Sequence, residues 1–206
     1  IYYGKKLIEG KLTKGTGGNI SICDRETGLM AITPSGIDYF DIQPEQIVLI
    51  DLNTGDIVES DNVPSSESNM HRILYKYRSD VHAVIHTHTT FAATISCLNQ
   101  PLPPVHYLVA HAGVDVRCAP YATYGTVELA ENAFEAMKDR KACLLANHGL
   151  LAAGKNLAEA YMITEQIEFC CELYYRSKSI GEPVILPKDE MERMIERFKN
   201  YGKRQV

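Results

Sequence analysis

The chain has 206 residues, of which 45% are hydrophobic and 23% charged, with a formal net charge of -5. That balance excludes a disordered or fibrous chain, and the length suits one domain spanning 1–206. No run of five or more Lys and Arg offers a footprint for nucleic acid, and no apolar run approaches the ~18 residues of a membrane span, so neither is expected as a partner.

Residues 2–14 are predicted to be helical and to end at Gly15, where Gly15-Thr16-Gly17-Gly18-Asn19 forces a tight loop into an alternating strand, 20–23. Strands are predicted at 29–32, running into Thr33-Pro34-Ser35-Gly36, and at 47–51. After Pro64, Ser65-Ser66-Glu67 supplies hydroxyls and an early carboxylate for a helix over 67–77. The compact apolar run 81–85 predicts a strand that delivers His86 and His88 at its C-terminal end, before a helix over 91–98. A strand over 115–118, a helix capped by Thr126 and running to Lys138, and a buried strand over 142–146 follow, the last leading to Asn147-His148-Gly149. A long helix from Asn156 to Ser179 and a final one over 189–201 close the chain, with 189–206 expected to form a C-terminal helix and mobile tail. The predicted class is α/β, a three-layer α/β/α arrangement with a central mixed, largely antiparallel sheet flanked by helices.

Six cysteines form no CxxC pair and sit mostly among apolar neighbours, as thiols of a reducing compartment do. No disulfide is expected. The start lacks a signal-peptide pattern, and the chain opens at Ile1 rather than Met, so a cytoplasmic protein with a few preceding residues is expected.

His86-Thr87-His88 places two imidazoles at i and i+2, on one face of an extended backbone, and both can reach one ion. His148 is a credible third ligand, because zinc takes three or four N, O or S donors and Gly149 allows close backbone approach. The plainer reading of each histidine alone is a core hydrogen bond; the HxH spacing followed by Asn-His-Gly favours a metal. His71, four residues after Glu67 on the same helix face, offers an alternative ligand, whereas His82, His106 and His111 read as packing or surface residues. Glu67, at a helix start where the dipole favours its charge, is either a helix cap or a carboxylate aimed at the ion as ligand or base. Thr16 to Asn19, Thr33 to Gly36 and Ser65-Ser66 are small-residue segments whose amides and hydroxyls suit a phosphate, and none is a GxxxxGK[ST] loop.

The ordered motifs GTGGN, ITPSG, PSSE, VIHTHT, ANHGLLAAG and FKNYG, with VHY and APYATYGT between them, span nearly the whole chain. Together they resemble the zinc-dependent class II aldolase family, which includes L-fuculose-1-phosphate aldolase and L-ribulose-5-phosphate 4-epimerase. The resemblance implies one Zn2+ per subunit on His86, His88 and His148, with Glu67 as displaceable fourth ligand and catalytic base. It further implies phosphate held by Gly18, Asn19, Ser35, Gly36, Ser65 and Ser66, and a homotetramer with sites at subunit interfaces. Tyr107, from a neighbouring subunit, and Tyr201, from the C-terminal segment, would be catalytic, and Tyr124 and Phe198 would line the aldehyde pocket. The implied activity is reversible aldol cleavage of a ketose 1-phosphate, L-fuculose 1-phosphate, to dihydroxyacetone phosphate and L-lactaldehyde, with the metal in place of a Schiff-base lysine.

Two details bear on that reading. Tyr124 stands where the aldolase pattern has phenylalanine, which leaves the sugar tail open. Leu150-Leu151 follows His148-Gly149 where the epimerases carry Pro-Phe, favouring the aldolase over the epimerase or a related sugar-phosphate lyase. A non-catalytic binding module, the remaining alternative, would be expected to lose the metal ligands that this chain keeps.

Overall fold

The computed structural model describes residues 1–201. Eight strands, β1 (Asn19–Asp24), β2 (Leu29–Ile32), β3 (Val48–Asp51), β4 (Ile57–Glu59), β5 (Ala83–Thr87), β6 (Arg117–Ala119), β7 (Ala142–Leu145) and β8 (Gly149–Gly154), form one sheet. Their order is β4-β3-β2-β1-β5-β8-β7-β6. Only β6 and β7 pair parallel; every other adjacent pair is antiparallel.

The helices are α1 (Tyr2–Glu9), α2 (Ser68–Tyr77), α3 (Thr90–Ser96), α4 (Val127–Ala136), α5 (Leu157–Ile180) and α6 (Lys188–Asn200). α2 and α4 cover one sheet face, where Met70, Leu74, Leu129 and Ala133 pack on Met30, Ile32, Val84 and Leu151. α1, α3, α5 and α6 contribute to the cores on the other face, around Ile85, Leu144, Leu150 and Ala152. The three layers and the mixed, largely antiparallel sheet are those expected from the chain. Every residue of β5, β7 and β8 is buried. Strands covered by helices on both faces need apolar side chains on both, which is why these segments read as continuous runs.

Where boundaries differ, the cause is local. The first helix stops at Glu9 rather than Lys14. Leu12 N–H bonds Leu7 O at 2.8 Å and Lys11 N–H bonds Ile8 O at 3.0 Å, with Lys11 at φ 57°. This is a Schellman stop whose left-handed residue is a lysine, so the usual glycine signal is missing. β8 was not anticipated, because Gly149-Leu150-Leu151-Ala152-Ala153-Gly154 carries little β propensity and is held as a strand by β5 and β7 on either side. β4, an exposed edge, also escaped prediction. The C-terminal helix expected over 189–201 is α6 over 188–200, whose Met191 is buried, and the tail expected beyond it, 202–206, lies outside the described residues.

Candidate metal centre and substrate cavity

Alternation along β5 sends Val84 and His86 to the face covered by α2. His88, two residues on, joins His86 just past the strand. β7 turns into β8 through Ala146–His148, with His148 N–H on Leu145 O at 3.0 Å. Asn147 takes φ 54° there, a left-handed conformation that asparagine tolerates better than most residues. Gly149 permits the approach of the two elements: a Cβ on it would lie 2.3 Å from Thr87 O. The three imidazoles converge, with ring centroids 4.7 to 5.0 Å apart, and their ligand nitrogens all lie within 4.8 Å of one another.

The protonation pattern suits a cation. His86 Nδ1 lies 3.0 Å from Leu150 O, and a carbonyl can only accept, so Nδ1 carries the hydrogen. Burial, then the neighbouring His148 and His88, push the His86 pKa well below its ordinary value. The neutral ring therefore points a lone pair from Nε2 at His88 Nε2, 3.0 Å away, and at Glu67 Oε2, 3.3 Å away. Burial, followed by His148, also lowers the His88 pKa. Glu67 Oε1, buried and without a hydrogen-bond partner, lies 3.3 Å from His148 Nε2. Lone pairs that converge without enough hydrogens between them repel unless a cation sits among them, and a neutral imidazole with its other nitrogen tied to a carbonyl is a prepared ligand. The donor set is that of a divalent metal site. His71, the alternative ligand, is not part of it.

Glu67 is the N-cap residue of α2, yet its side chain makes no capping bond; it turns toward β1 instead. Asn19 Nδ2 donates to Glu67 Oε2 at 2.8 Å. Asn19 Oδ1 meets His71 Nε2 at 2.6 Å, His71 Nδ1 meets Ser21 Oγ at 2.7 Å, and Ser21 Oγ meets the Tyr75 hydroxyl at 2.7 Å. The periodicities of the two elements explain the match. Asn19 and Ser21 are i and i+2 on a strand, and Glu67, His71 and Tyr75 are i, i+4 and i+8 along a helix. Burial holds the His71 ring neutral, with its pKa lowered to about 3.

A cavity of about 380 Å³ opens beside this cluster, lined by Gly18, Asn19, Ser35, Gly36, Ser65, Ser66, Glu67, Tyr124, His88 and His148. All six residues that the resemblance implies for phosphate are therefore on its wall, whereas Thr33, in one of the same segments, turns its hydroxyl to Ile20 N–H instead. Pro34 and Pro64 form a bridge that lays their two loops side by side, with Ser35 N–H on Val63 O at 2.9 Å and Ser65 N–H on Thr33 O at 3.2 Å. Those two amides are committed, which leaves the serine hydroxyls and the Gly18, Gly36 and Ser66 backbone to face a ligand. A Cβ on Gly18 would lie 2.5 Å from His86 O, so only glycine lets this loop close on the metal strand. Both ends of the Asn19 side chain are engaged, and it reaches the cavity as the support of Glu67.

Tyr107, Phe198 and Tyr201 are not on that wall. Tyr107 lies in a short 3-10 helix, 44% exposed; Phe198 stacks on His111 at 4.0 Å; Tyr201 is 87% exposed at the end of α6. Tyr121, Ala122 and Asn147 line the cavity without having been given a role from the sequence. Asn147 carried a signal, an asparagine in a tight turn between apolar runs, which only a prediction of β8 would have exposed.

Residues 1–175 match the family described as class II aldolase and adducin N-terminal domain. The chain is 54% identical over 202 residues to the 5-deoxy-D-ribulose 1-phosphate aldolase of Bacillus thuringiensis serovar kurstaki, covering 98% of this chain and 94% of that protein. It is 46% identical over 192 residues to the 5-methylthioribulose-1-phosphate/5-deoxyribulose-1-phosphate aldolase of Rhodospirillum rubrum, covering 93% and 85%. A solved L-fuculose 1-phosphate aldolase superposes with a TM-score of 0.94 at 57% identity, over 96% of this chain and 93% of that one.

Proposed function

This chain belongs to the class II aldolase and adducin family as a metal-dependent aldehyde-lyase, and we propose that it cleaves a short ketose 1-phosphate ending in a methyl group. The first candidate is 5-deoxyribulose 1-phosphate, giving dihydroxyacetone phosphate and acetaldehyde. The observation that carries the reading is the single cavity in which three small-residue loops face the histidine cluster and Glu67. The named relatives supply the sugar: two act on 5-deoxyribulose 1-phosphate by name. L-Fuculose 1-phosphate, with L-lactaldehyde as its second product, is the second reading and is favoured by the solved relative. Both substrates share the phosphate end and a terminal methyl.

His86, His88 and His148 would hold the ion, with Glu67 beside them, and zinc is the proposed metal because neutral imidazole suits it. When bound, the ion withdraws electrons from the ketose carbonyl, which makes rupture of the adjacent C3–C4 bond accessible. Hydroxyls of Ser35, Ser65 and Ser66 and the backbone at Gly18 and Gly36 hold the phosphate. Asn19 bears on it only through the loop it anchors. Cleavage takes the proton of the C4 hydroxyl, leaves the bonding pair on C3 and forms the aldehyde at C4; a proton then returns to C3. Glu67 Oε1, the carboxylate oxygen without a partner, is the atom placed to hold that proton. Tyr124 lies where the aldehyde end would rest. Tyr107 and Tyr201 are exposed and away from their own cavity, so acting on the C4 oxygen requires a second copy, in keeping with a proposed homotetramer whose sites lie between subunits; Phe198 would join the aldehyde pocket by the same route. Six free cysteines support a reducing, cytoplasmic location, and among the described residues no helix is long and apolar enough to cross a membrane.

The test is release of dihydroxyacetone phosphate from 5-deoxyribulose 1-phosphate and from L-fuculose 1-phosphate, with and without a chelator, with L-ribulose 5-phosphate as the epimerase control. Chelator-sensitive release that is faster from the first substrate supports the reading. Faster release from the second moves the assignment to fuculose phosphate, and an epimerised pentulose with no triose phosphate overturns aldol cleavage.

A further inference from the structure

The polar chain behind Glu67 has one consistent hydrogen-bond direction. Asn19 must donate Nδ2–H to the carboxylate, so its Oδ1 faces His71. A carbonyl oxygen only accepts, so His71 Nε2 carries the ring hydrogen and Nδ1 accepts from Ser21. Ser21, having given its hydrogen to the ring, accepts from Tyr75. Each hydrogen points toward Glu67. None of the five residues is more than 7% exposed and the far end at Tyr75 is buried, so behind the cavity the chain has no second outlet to water and is a support rather than a conduit.

We propose that His71 is a positioning residue for the metal centre: by donating to Asn19 Oδ1 it locks the amide so that Nδ2–H holds Glu67 Oε2 and leaves Oε1 to the histidine cluster. The lock follows from what a flipped amide would meet. Its oxygen would face a carboxylate oxygen, and its N–H would face the His71 N–H. Ser21 and Tyr75 hold the ring in the tautomer that makes this so. Without the lock, a carboxylate with one buried oxygen unpartnered gains by turning toward any other donor, because an unsatisfied buried oxygen is costly. Groups bonded directly to a metal ligand, as Asn19 is to Glu67, alter metal affinity or activity about 10- to 100-fold, and His71, one bond further out, acts through that group.

The inference rests on Glu67 serving the proposed metal site, and zinc binding tests it apart from the reaction. Zinc dissociation constants from chelator competition, together with kcat and KM for triose phosphate release, would be compared in wild type, His71→Leu and His71→Gln. His71→Leu should weaken zinc several-fold, up to about 10-fold, the low end for a direct ligand partner, and lower kcat more than it raises KM. His71→Gln, whose amide N–H can reach Asn19 Oδ1, should regain most of both. Unchanged zinc affinity in folded His71→Leu, or equal losses in the two variants, would overturn the proposal. If His71→Leu does not fold, Ser21→Ala, which frees the ring tautomer, decides by the same zinc measurement: several-fold weakening upholds the proposal and wild-type affinity overturns it. A wild type that binds zinc but releases no triose phosphate would sink the proposed reaction while leaving the zinc result for His71 intact.

Discussion

Nε2 of His86 lies 3.0 Å from Nε2 of His88, and the hydrogen bond from His86 Nδ1 to Leu150 O leaves the first of these nitrogens with only a lone pair to offer. Glu67 Oε2, 3.3 Å from the same nitrogen, also has only lone pairs to offer, and a bound divalent ion would relieve that confrontation. Zinc at 100 times its dissociation constant should therefore raise the unfolding free energy by about 2.7 kcal/mol, less any binding to the unfolded chain. His86→Ala should lose the increment together with the metal. Urea denaturation with zinc and with chelator measures this, and a zinc-independent midpoint in wild type would remove the site.

Metal-free protein should be acid-sensitive. The folded His71 pKa is lowered to about 3 and that of His86 is also lowered, whereas both rings in an unfolded chain protonate near 6.5. Between those values the unfolded chain binds more protons, so stability is fully present above about pH 6.5 and falls as pH drops toward 3. The slope is at most about 1.4 kcal/mol per pH unit for each such group. Unfolding midpoints at pH 7.5 and 5.5 check it. His71→Gln, lacking one group, should show the shallower dependence, and identical slopes would contradict the assignment.

Glu168, on α5, accepts from the backbone N–H groups of Phe91 and Ala92 at 2.8 Å each. It thereby caps α3, whose own N-cap Thr89 makes no side-chain bond, two residues beyond His88. Glu168→Ala should cost about 0.5–2 kcal/mol, the range for a lost helix cap, and Glu168→Gln, which keeps one acceptor, should cost less. Denaturant midpoints for the two variants decide, and equal small losses would show that the clamp is unimportant.

Gly149→Ala should destabilise by about 1–3 kcal/mol, as overpacking does, because the new Cβ would meet Thr87 O at 2.3 Å. The displacement falls between His86, His88 and His148, so zinc affinity should drop as well. Gly28→Ala is the comparator: it has φ 71° but nothing within 4 Å, and should cost about 1 kcal/mol with zinc binding unchanged. Matching zinc losses in both would indicate a general loosening rather than a local clash.

Local spacing was enough to mark the histidines, Glu67 and the three small-residue loops, because an HxH on a strand and a carboxylate at a helix start have short-range signatures. It was also enough for the layered fold, since the buried strands β5 and β7 and the long helix α5 carry apolar runs of the right period. The strand β8 was invisible because its alanines and glycines are held extended by neighbours far away in sequence. Asn19 read as a phosphate ligand, yet its amide bridges Glu67 and His71, residues 48 and 52 positions away. Sequence alone determined which groups could bind a metal. Only tertiary structure decided which way each proton points, because a tautomer is set by the partner across the interface, and that partner belongs to another element.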